Sequence, residues 1–500
     1  MAAPTAYDEV DYPGWPYPQS HPDRLATLAR LFGMAPADPA RCRVLELGCG
    51  DGANLLPVAG AWPQARIVGI DLAASAIARG RAAAEALGLA NLDLRCGDLG
   101  SLPDDLGEFD YVIAHGVYSW IPAPLRRALL EACRRFLAPQ GVAYVSYNVY
   151  PGGHLRAMLR EMLLMHIEDV AGPDRRCAAA REFLAWVADA QPDGQPDAAR
   201  SALALEARRL AKRSDGSLFH DDLSGTFHLC YFRDFCAEAD AHGLQFLAEA
   251  DFFEMQDQDL PPAARERLAA FAPDLVAREQ YLDFLKERRF RQTLLCRSEV
   301  PLRSELRGDA VWELSVSSAA EPEIPGVELP SREEQRYRGR GGAAFSTGEP
   351  LLKVALDELR REWPRALPMS ELLDAAAARC GLKAGAAQRA LMGDFALACY
   401  AAGCVELHLR QSPFARWPGP RPRASTLAIR QARDGRNVTS LLGSMIELDD
   451  PLAPRLLPLL DGTRDRAALL RALRGDGAAV DRCLEAFGRC ALLRADPPQD

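Results

Sequence analysis

A doubly wound α/β sheet is the fold class this sequence predicts for the part of the chain ending at Arg297, and three observations predict it. The run VLELGCGDG (44–52) is an apolar strand feeding a glycine turn, the opening of a nucleotide-binding unit. Further apolar, strand-like runs alternate with helix-forming stretches, the order that builds a parallel sheet with helices on both faces. An acid stands near the end of each of three strands, at Glu46, Asp71 and Asp98. Mainly α-helical, winged-helix-like modules are expected beyond the sheet.

Val44 to Leu47 reads as a buried strand, and Gly48, Gly50 and Gly52 permit a turn that side chains would obstruct. The Gly-x-Gly-x-Gly spacing is not that of a dinucleotide fold. Glu46 would repel a pyrophosphate at this turn but can receive a cationic amino group or orient the loop, so the ligand reads as a nucleoside carrying an amino acid. The next strand, ARIVGIDL (65–72), ends in Asp71, where a carboxylate can accept ribose hydroxyls. NLDLRCGDL (91–99) ends at Asp98, placed to accept from an adenine amine. EFDYVIAHG (108–116) is a fourth strand, a helix follows from Ala123 to Leu137, and PQGVAYVSYN (139–148) is a fifth. The sheet then resumes only after a delay, with a helix over 231–244 and strands over 244–252 and 290–297. Helical insertions at 152–225 and 257–288 interrupt it. Both leave from strand ends beside the ligand crevice, which makes them candidates for substrate recognition.

Glu46, Gly48, Gly50, Asp71 and Asp98 together resemble the motif series of class I S-adenosylmethionine-dependent methyltransferases. The resemblance implies a seven-stranded Rossmann-like sheet, S-adenosylmethionine as cofactor, and a binding set of Glu46, Gly48, Cys49, Gly50, Asp71, Leu72, Asp98, Leu99 and His115. Methyl transfer from a sulfonium is an in-line displacement, so the protein positions a nucleophile and strips its proton. A lysine acceptor, with pKa about 10.4, needs desolvation to be neutral at pH 7. Aromatic walls exclude water and also stabilise a methylammonium product. Such residues follow strand four in HGVYSWIP (115–122) and strand five in SYNVYPGGH (146–154). The candidate catalytic residues are accordingly His115, Tyr118, Trp120 and Tyr150, each with a packing role as the alternative. Asp-Pro-Pro-Tyr and Asn-Pro-Pro-Tyr are absent after strand four, which disfavours a nucleobase amine as acceptor.

Ahead of the sheet, YDEVDYPGWPYPQSHP places Tyr7, Tyr12, Trp15 and Tyr17 among prolines, a stiff, adhesive arm that either closes over the cofactor or packs statically. With AHGVYSWIP, YNVYPGG and FHDDLSGTFHLCYFRDFCAEADAHGLQFLAEA (219–249), this opening resembles a bacterial family that joins a methyltransferase domain, a regulatory domain and a C-terminal winged-helix region. That family includes protein-lysine methyltransferases acting on outer-membrane proteins. The resemblance implies a protein substrate, such as a surface protein before export.

The expected organisation is an arm and helix over 1–40, a cofactor core over 41–151, and an insertion and regulatory region over 152–305. A linker (306–350), a winged-helix-like module (351–411), a second linker (412–436) and a small helical unit (437–500) complete it. In the last unit Thr463 is expected to cap a helix over 461–473. Ser217 to Gly225 reads as a polar turn rather than a metal site, and no metal is expected.

With 500 residues, 48% hydrophobic and 26% charged, the chain suits several packed domains. A net charge of -10 argues against nucleic-acid binding, and no apolar run is long enough to span a bilayer. The first thirty residues lack a basic start and an apolar h-region, so a cytoplasmic protein is expected, and thirteen cysteines without a Cys-x-x-Cys pair suggest neither a disulfide framework nor a zinc ribbon. Lysines number four, Lys212, Lys286, Lys353 and Lys383; compositional bias accounts for this as readily as avoidance of self-methylation. A small-molecule methyltransferase and a non-catalytic binder of the cofactor remain as alternatives to the protein-lysine enzyme.

Overall fold

The computed structural model of the chain describes residues 6–190, 198–324, 326, 328–329, 331–339, 342–474 and 476–495. Seven strands form one sheet: β1 (Arg43–Leu47), β2 (Arg66–Asp71), β3 (Leu92–Cys96), β4 (Phe109–Ala114), β5 (Leu137–Asn148), β6 (Leu244–Glu249) and β7 (Phe290–Arg297). Their order is β3-β2-β1-β4-β5-β7-β6, with β7 antiparallel to both neighbours. The inner strands are near-continuous apolar runs because helices cover both faces of a parallel sheet. Chain direction away from β1 reverses between β2 and β4, so the crevice for a ligand opens at the carboxyl end of β1. The glycine turn sits there.

The first insertion is helical, with helices His154–His166, Pro173–Asp189, Ala198–Ala211 and Asp215–Asp222 around a core that includes Leu163, Leu184 and Leu210. The expected polar turn at 217–225 is instead mostly helix. Ser214 caps it by accepting from Ser217 N, and Asp221 and Asp222 pair with Arg213 at 3.0 and 2.7 Å. No group able to hold a metal ion is found among the described residues.

The second insertion, helices Pro262–Phe271 and Leu275–Lys286, is tied down by charge. Arg291 of β7 is fully buried and pairs with Glu249 at 2.6 Å, Asp283 at 2.8 Å and Glu279 at 3.2 Å, while its guanidinium lies 3.7 Å from the Phe232 ring centre. Arg288 adds a 3.0 Å pair with Asp283. Such a network fixes geometry, since removing one member leaves a buried charge uncompensated.

The region read as a linker over 306–350 is built into the fold, apart from positions 325, 327, 330, 340 and 341, which lie outside the described residues. Ser315–Ser317 is the central strand between Leu367–Pro368 and Glu406–His408. Gln335–Arg338 pairs with Ala344–Thr347 and Glu321–Pro322. Polar, glycine-bearing sequence is compatible with short edge strands, which is why it passed for a linker. Helices Pro350–Glu362, Met369–Arg379 and Ala386–Ala401 follow. Their apolar residues share one continuous core with the sheet. At the seam, Asp23 accepts from His408 at 2.7 Å and from Arg410 N at 2.6 Å, and Phe252 stacks on Tyr400 with rings 5.3 Å apart.

Burial opposes charge on His408, but Asp23 outweighs it and raises the imidazole pKa above 6.5. The carboxyl of Asp23 is lowered despite burial, chiefly by His408. The pair therefore stabilises the seam between the lowered Asp23 value and the raised His408 value, and weakens as pH rises through the latter. Thermal unfolding across pH is expected to show this alkaline loss in the wild type and not in His408→Asn.

The C-terminal unit has its own core around Leu456, Leu469, Val480 and Phe487. It comprises helices Thr426–Asp434, Ala453–Leu456, Arg466–Leu473 and Gly477–Arg489 and a hairpin of Asn437–Thr439 with Met445–Glu447. The second expected linker thus ends in a helix, started by Ser425. Thr463 is not a cap. Its N–H and hydroxyl donate to Asp461, and the helix begins at Arg466, capped by Asp465, which accepts from Ala468 N. No described helix is long and apolar enough to cross a membrane.

Candidate active site

The turn after β1 has Gly48, Gly50 and Gly52 at φ +76°, +54° and +75°, a backbone that side chains rarely adopt. A Cβ on Gly48 would lie 2.4 Å from Val117 Cγ2, whereas one on Gly50 would meet nothing within 4 Å, so Gly50 faces open space. Gly48 N and Cys49 N both donate to the Ile70 carbonyl, and Cys49 is buried. Asp71, at the end of β2, accepts from Gly50 N on one oxygen and from Ala73 N on the other, both at 2.8 Å. Each oxygen retains a lone pair. Asp71 therefore anchors the turn as well as facing the crevice, a second role that its position in the sequence did not reveal. Burial raises its pKa, against the three backbone donors of Ala73, Gly50 and Leu72.

Glu46 is 2% exposed. Its Oε1 accepts from Asn54 Nδ2 at 2.9 Å, and its Oε2 has no hydrogen-bond partner. Burial pushes its pKa up to about 8, Asn54 opposes this, and Asp71 and Asp51 add to it. A buried carboxylate with an orphaned oxygen at the head of a crevice is suited to an ammonium group. Asp98, at the far side, caps the turn Leu99–Ser101 through Gly100 N at 2.8 Å and is exposed. Leu72 and Leu99 also line the crevice.

These residues line a cavity of about 290 Å³, together with His115, Gly116, Val117 and Trp120 from the end of β4. The arm completes the lining through Tyr7, Tyr12, Trp15 and Tyr17. It is fastened at both sides of the crevice. Asp8 accepts from Ser75 N and Oγ at 3.1 and 2.7 Å, Asp11 pairs with Arg79 at 2.9 Å, and Tyr17 N donates to Asn54. On the insertion side, Tyr7 stacks on His220 at 4.2 Å and His220 Nε2 meets the Val10 carbonyl at 2.7 Å. Asp221 joins the lining and is hydrogen-bonded by Tyr12.

His115 stacks on Tyr17 with ring centres 3.5 Å apart, and its Nδ1 lies 2.9 Å from the Tyr144 hydroxyl. Burial lowers its pKa to about 3, so it is a neutral wall and a poor proton acceptor. Trp120 faces the crevice, backed by Phe227 at 5.2 Å and by the Arg156 guanidinium at 5.5 Å from its ring. Tyr118 and Tyr150 do not join it. The chain makes a 3-10 turn over Tyr118–Trp120, which points alternate side chains to different sides. Tyr118 is thereby buried against Tyr147 and Phe235, with its hydroxyl 2.5 Å from Glu238. Tyr150 stands beside Tyr231, and both tyrosines border a separate cavity. Their assignment to the catalytic crevice is corrected accordingly.

Three family profiles match the chain: "Methyltransferase domain" over 44–141, "Predicted methyltransferase regulatory domain" over 214–297 and "PKMT, C-terminal winged helix domain" over 420–482. The last lies downstream of the 351–411 segment in which the sequence suggested that order of elements. The uncharacterized protein RP789 of Rickettsia prowazekii (strain Madrid E) is 36% identical over 355 residues, 70% of this chain and 64% of the relative. This chain thus spans just under two thirds of that relative's length. The nocamycin O-methyltransferase of Saccharothrix syringae is 30% identical over 208 residues, 38% of this chain and 72% of that enzyme. The solved structure of PKMT2 from Rickettsia typhi in complex with AdoHcy shares the fold, with a TM-score of 0.86 at 24% identity over 96% of this chain and 99% of that one.

Proposed function

The chain belongs to the S-adenosylmethionine-dependent methyltransferases, and from that premise we propose that it transfers methyl groups to lysine side chains of a protein substrate. The observation that carries the proposal is the crevice itself, in which an orphaned Glu46 oxygen, Asp71 and Asp98 face a wall of aromatic rings. S-adenosylmethionine fits these residues. Glu46 would hold its amino group, Asp71 its ribose hydroxyls, Asp98 its adenine amine, and Leu72 and Leu99 the faces of the base. When bound, the cofactor supplies an electrophilic methyl group on a sulfonium.

The rest is the work of the chain. The arm and Trp120 exclude water, which favours the neutral amine over the ammonium. The same rings then stabilise the cationic methylammonium product. Neutral His115 adds no positive charge beside a cationic cofactor and a cationic product. Support for a protein acceptor comes from the family likeness, since both the winged-helix profile and the whole-chain structural neighbour carry the designation PKMT, for protein-lysine methyltransferase. The reading includes a cytoplasmic encounter with an outer-membrane or surface protein before its export.

Incubation with radiolabelled S-adenosylmethionine and source-cell lysate is expected to place the label in protein, on lysine. Label confined to small molecules would replace this reading with a small-molecule methyltransferase, and no transfer at all would leave a binding protein. Trp120→Ala is expected to cut turnover about tenfold or more while S-adenosylmethionine affinity stays within about twofold, since this wall acts on the amine. A parallel loss of cofactor affinity would assign Trp120 to packing.

A further inference from the structure

The two ring nitrogens of His115 stand in different surroundings. Nδ1 is directed at β5, where the Tyr144 hydroxyl lies 2.9 Å away. Nε2, on the other side of the ring, has no hydrogen-bond partner among the described residues and is open to the crevice that His115 lines. Which nitrogen carries the proton follows from the other partner of Tyr144. Its side chain is fully buried, and its hydroxyl donates to Gln292 Oε1 at 2.7 Å. A hydroxyl has one proton, so toward His115 this one can only accept. Nδ1 therefore carries the ring proton, and Nε2 keeps a lone pair. Ser146 Oγ stands farther from the same Nδ1, at 3.4 Å, and accepts from Gly116 N at 2.7 Å. The opposite tautomer would turn the Tyr144 proton to Nδ1 and leave two oxygens 2.7 Å apart with no proton between them.

Gln292 is itself held in place. It follows the buried Arg291 on β7, and Glu249 ties the two together: Oε1 pairs with Arg291 at 2.6 Å, and Oε2 accepts from Gln292 N at 2.9 Å. The Gln292 carbonyl accepts from Ala250 N at 2.8 Å. Arg291, Gln292 and Glu249 all belong to the segment that the regulatory-domain profile matches. A chain of hydrogen bonds thus runs from that segment through Tyr144 of β5 to His115 at the end of β4.

We propose that Gln292 is a positioning residue, which through Tyr144 fixes His115 in the tautomer whose bare Nε2 accepts an N–H of the acceptor amine. The inference rests on the lysine acceptor proposed above. A neutral amine has one lone pair, and that pair must be free to attack the methyl group. A ring N–H at this place would donate to the pair and hold it back. A bare ring nitrogen instead takes one amine proton into a hydrogen bond and leaves the pair free, so the amine is oriented before reaction. His115 does this without removing a proton, in keeping with a ring that burial keeps neutral.

The test isotope-labels the histidine ring nitrogens of the full chain and reads the His115 tautomer from long-range proton–nitrogen correlation spectra, its signals assigned by their loss in His115→Gln. The wild type is expected to carry the proton on Nδ1. Gln292→Met removes the acceptor and lets the Tyr144 proton turn to Nδ1, so the ring should switch to Nε2–H. Transfer of label from radiolabelled S-adenosylmethionine to source-cell protein should then fall about tenfold, with cofactor affinity by calorimetry within about twofold of wild type. Gln292→Glu, whose carboxylate only accepts, should keep both the tautomer and the rate. Tyr144→Phe breaks the chain at its centre and should lose activity as Gln292→Met does, and melting curves identify the folded variants. An Nε2–H ring in the wild type would overturn the proposal. So would a folded Gln292→Met or Tyr144→Phe that methylates at the full rate, or a Gln292→Glu that fails as Gln292→Met does. Tautomers that follow Gln292 as stated, in a wild type that labels no lysine, would instead overturn the lysine-methyltransferase reading and leave the control of His115 by Gln292 standing.

Discussion

Ending the chain after Ser317 is expected to yield a polypeptide that does not fold stably or bind S-adenosylmethionine, although the seven-stranded sheet and every residue of the cofactor crevice lie before that point. The helix Pro22–Leu31 explains why. It buries Leu25, Leu28 and Leu31 completely, and its polar side carries Asp23 and Thr27, whose partners are His408, Leu409 N and Arg410 N. Truncation would strand a carboxylate at 4% exposure and uncover Phe252, which stacks on Tyr400. Each apolar side chain of that size contributes about 1.5–3 kcal/mol on burial, and a domain's whole margin is about 5–15 kcal/mol. Several such losses together exhaust it. Circular dichroism melting and calorimetric titration with cofactor would measure the outcome, and a truncated chain that binds as tightly as the full one would show the modules to be separable. A chain ending near residue 411 makes the contrast. It removes only the unit with its own core and keeps the seam, so it should fold, losing the small contact of Leu427 with Leu56 and Ala84.

The sequence made the sheet legible because parallel strands covered on both faces must be apolar runs, and β1, β2, β4 and β5 fell in order as such runs with turn signals between them, while the edge strand β3 showed only as the alternation LDLRC. Its acids were legible for a related reason: the carboxyl ends of the strands border the ligand crevice, and Glu46 near the end of β1, Asp71 as the last residue of β2 and Asp98 two residues past β3 all stand there. Legibility stopped where direction mattered. Tyr118 and Trp120 are two residues apart, and an extended chain would have put both on one side. A single 3-10 turn sends them to different cavities, and no local pattern announced it. The aromatic arm was visible as composition, but its place across the crevice depends on pairs such as Asp11 with Arg79, far apart in the chain. The burial of Glu279 and Asp283 on the helix Leu275–Lys286 was hidden by the usual rule that charged residues point outward. Here the buried Arg291, fixed from β7, dictates the opposite.

Asp71→Ala is expected to lower S-adenosylmethionine affinity at least about a hundredfold. Two ribose hydroxyls donating to a carboxylate are worth about 1.5–3 kcal/mol each, and 3 kcal/mol already exceeds two decades in affinity. The substitution also frees Gly50 N and Ala73 N, the donors that this carboxylate holds at 2.8 Å, so the glycine turn loses its anchor along with the ribose seat. Asp71→Asn separates the two effects. Its amide oxygen can keep one backbone donor, but its nitrogen accepts nothing, so an intermediate loss of about tenfold is expected. Asp98 is exposed and offers the adenine amine a single acceptor, so Asp98→Ala should cost less than either. Isothermal calorimetry on the three variants, with melting curves confirming that each is folded, gives the ranking. An Asp71→Ala protein that binds at wild-type affinity would remove Asp71 from the cofactor site. A larger loss at Asp98 than at Asp71 would mean that the base, and not the ribose, dominates recognition in this crevice.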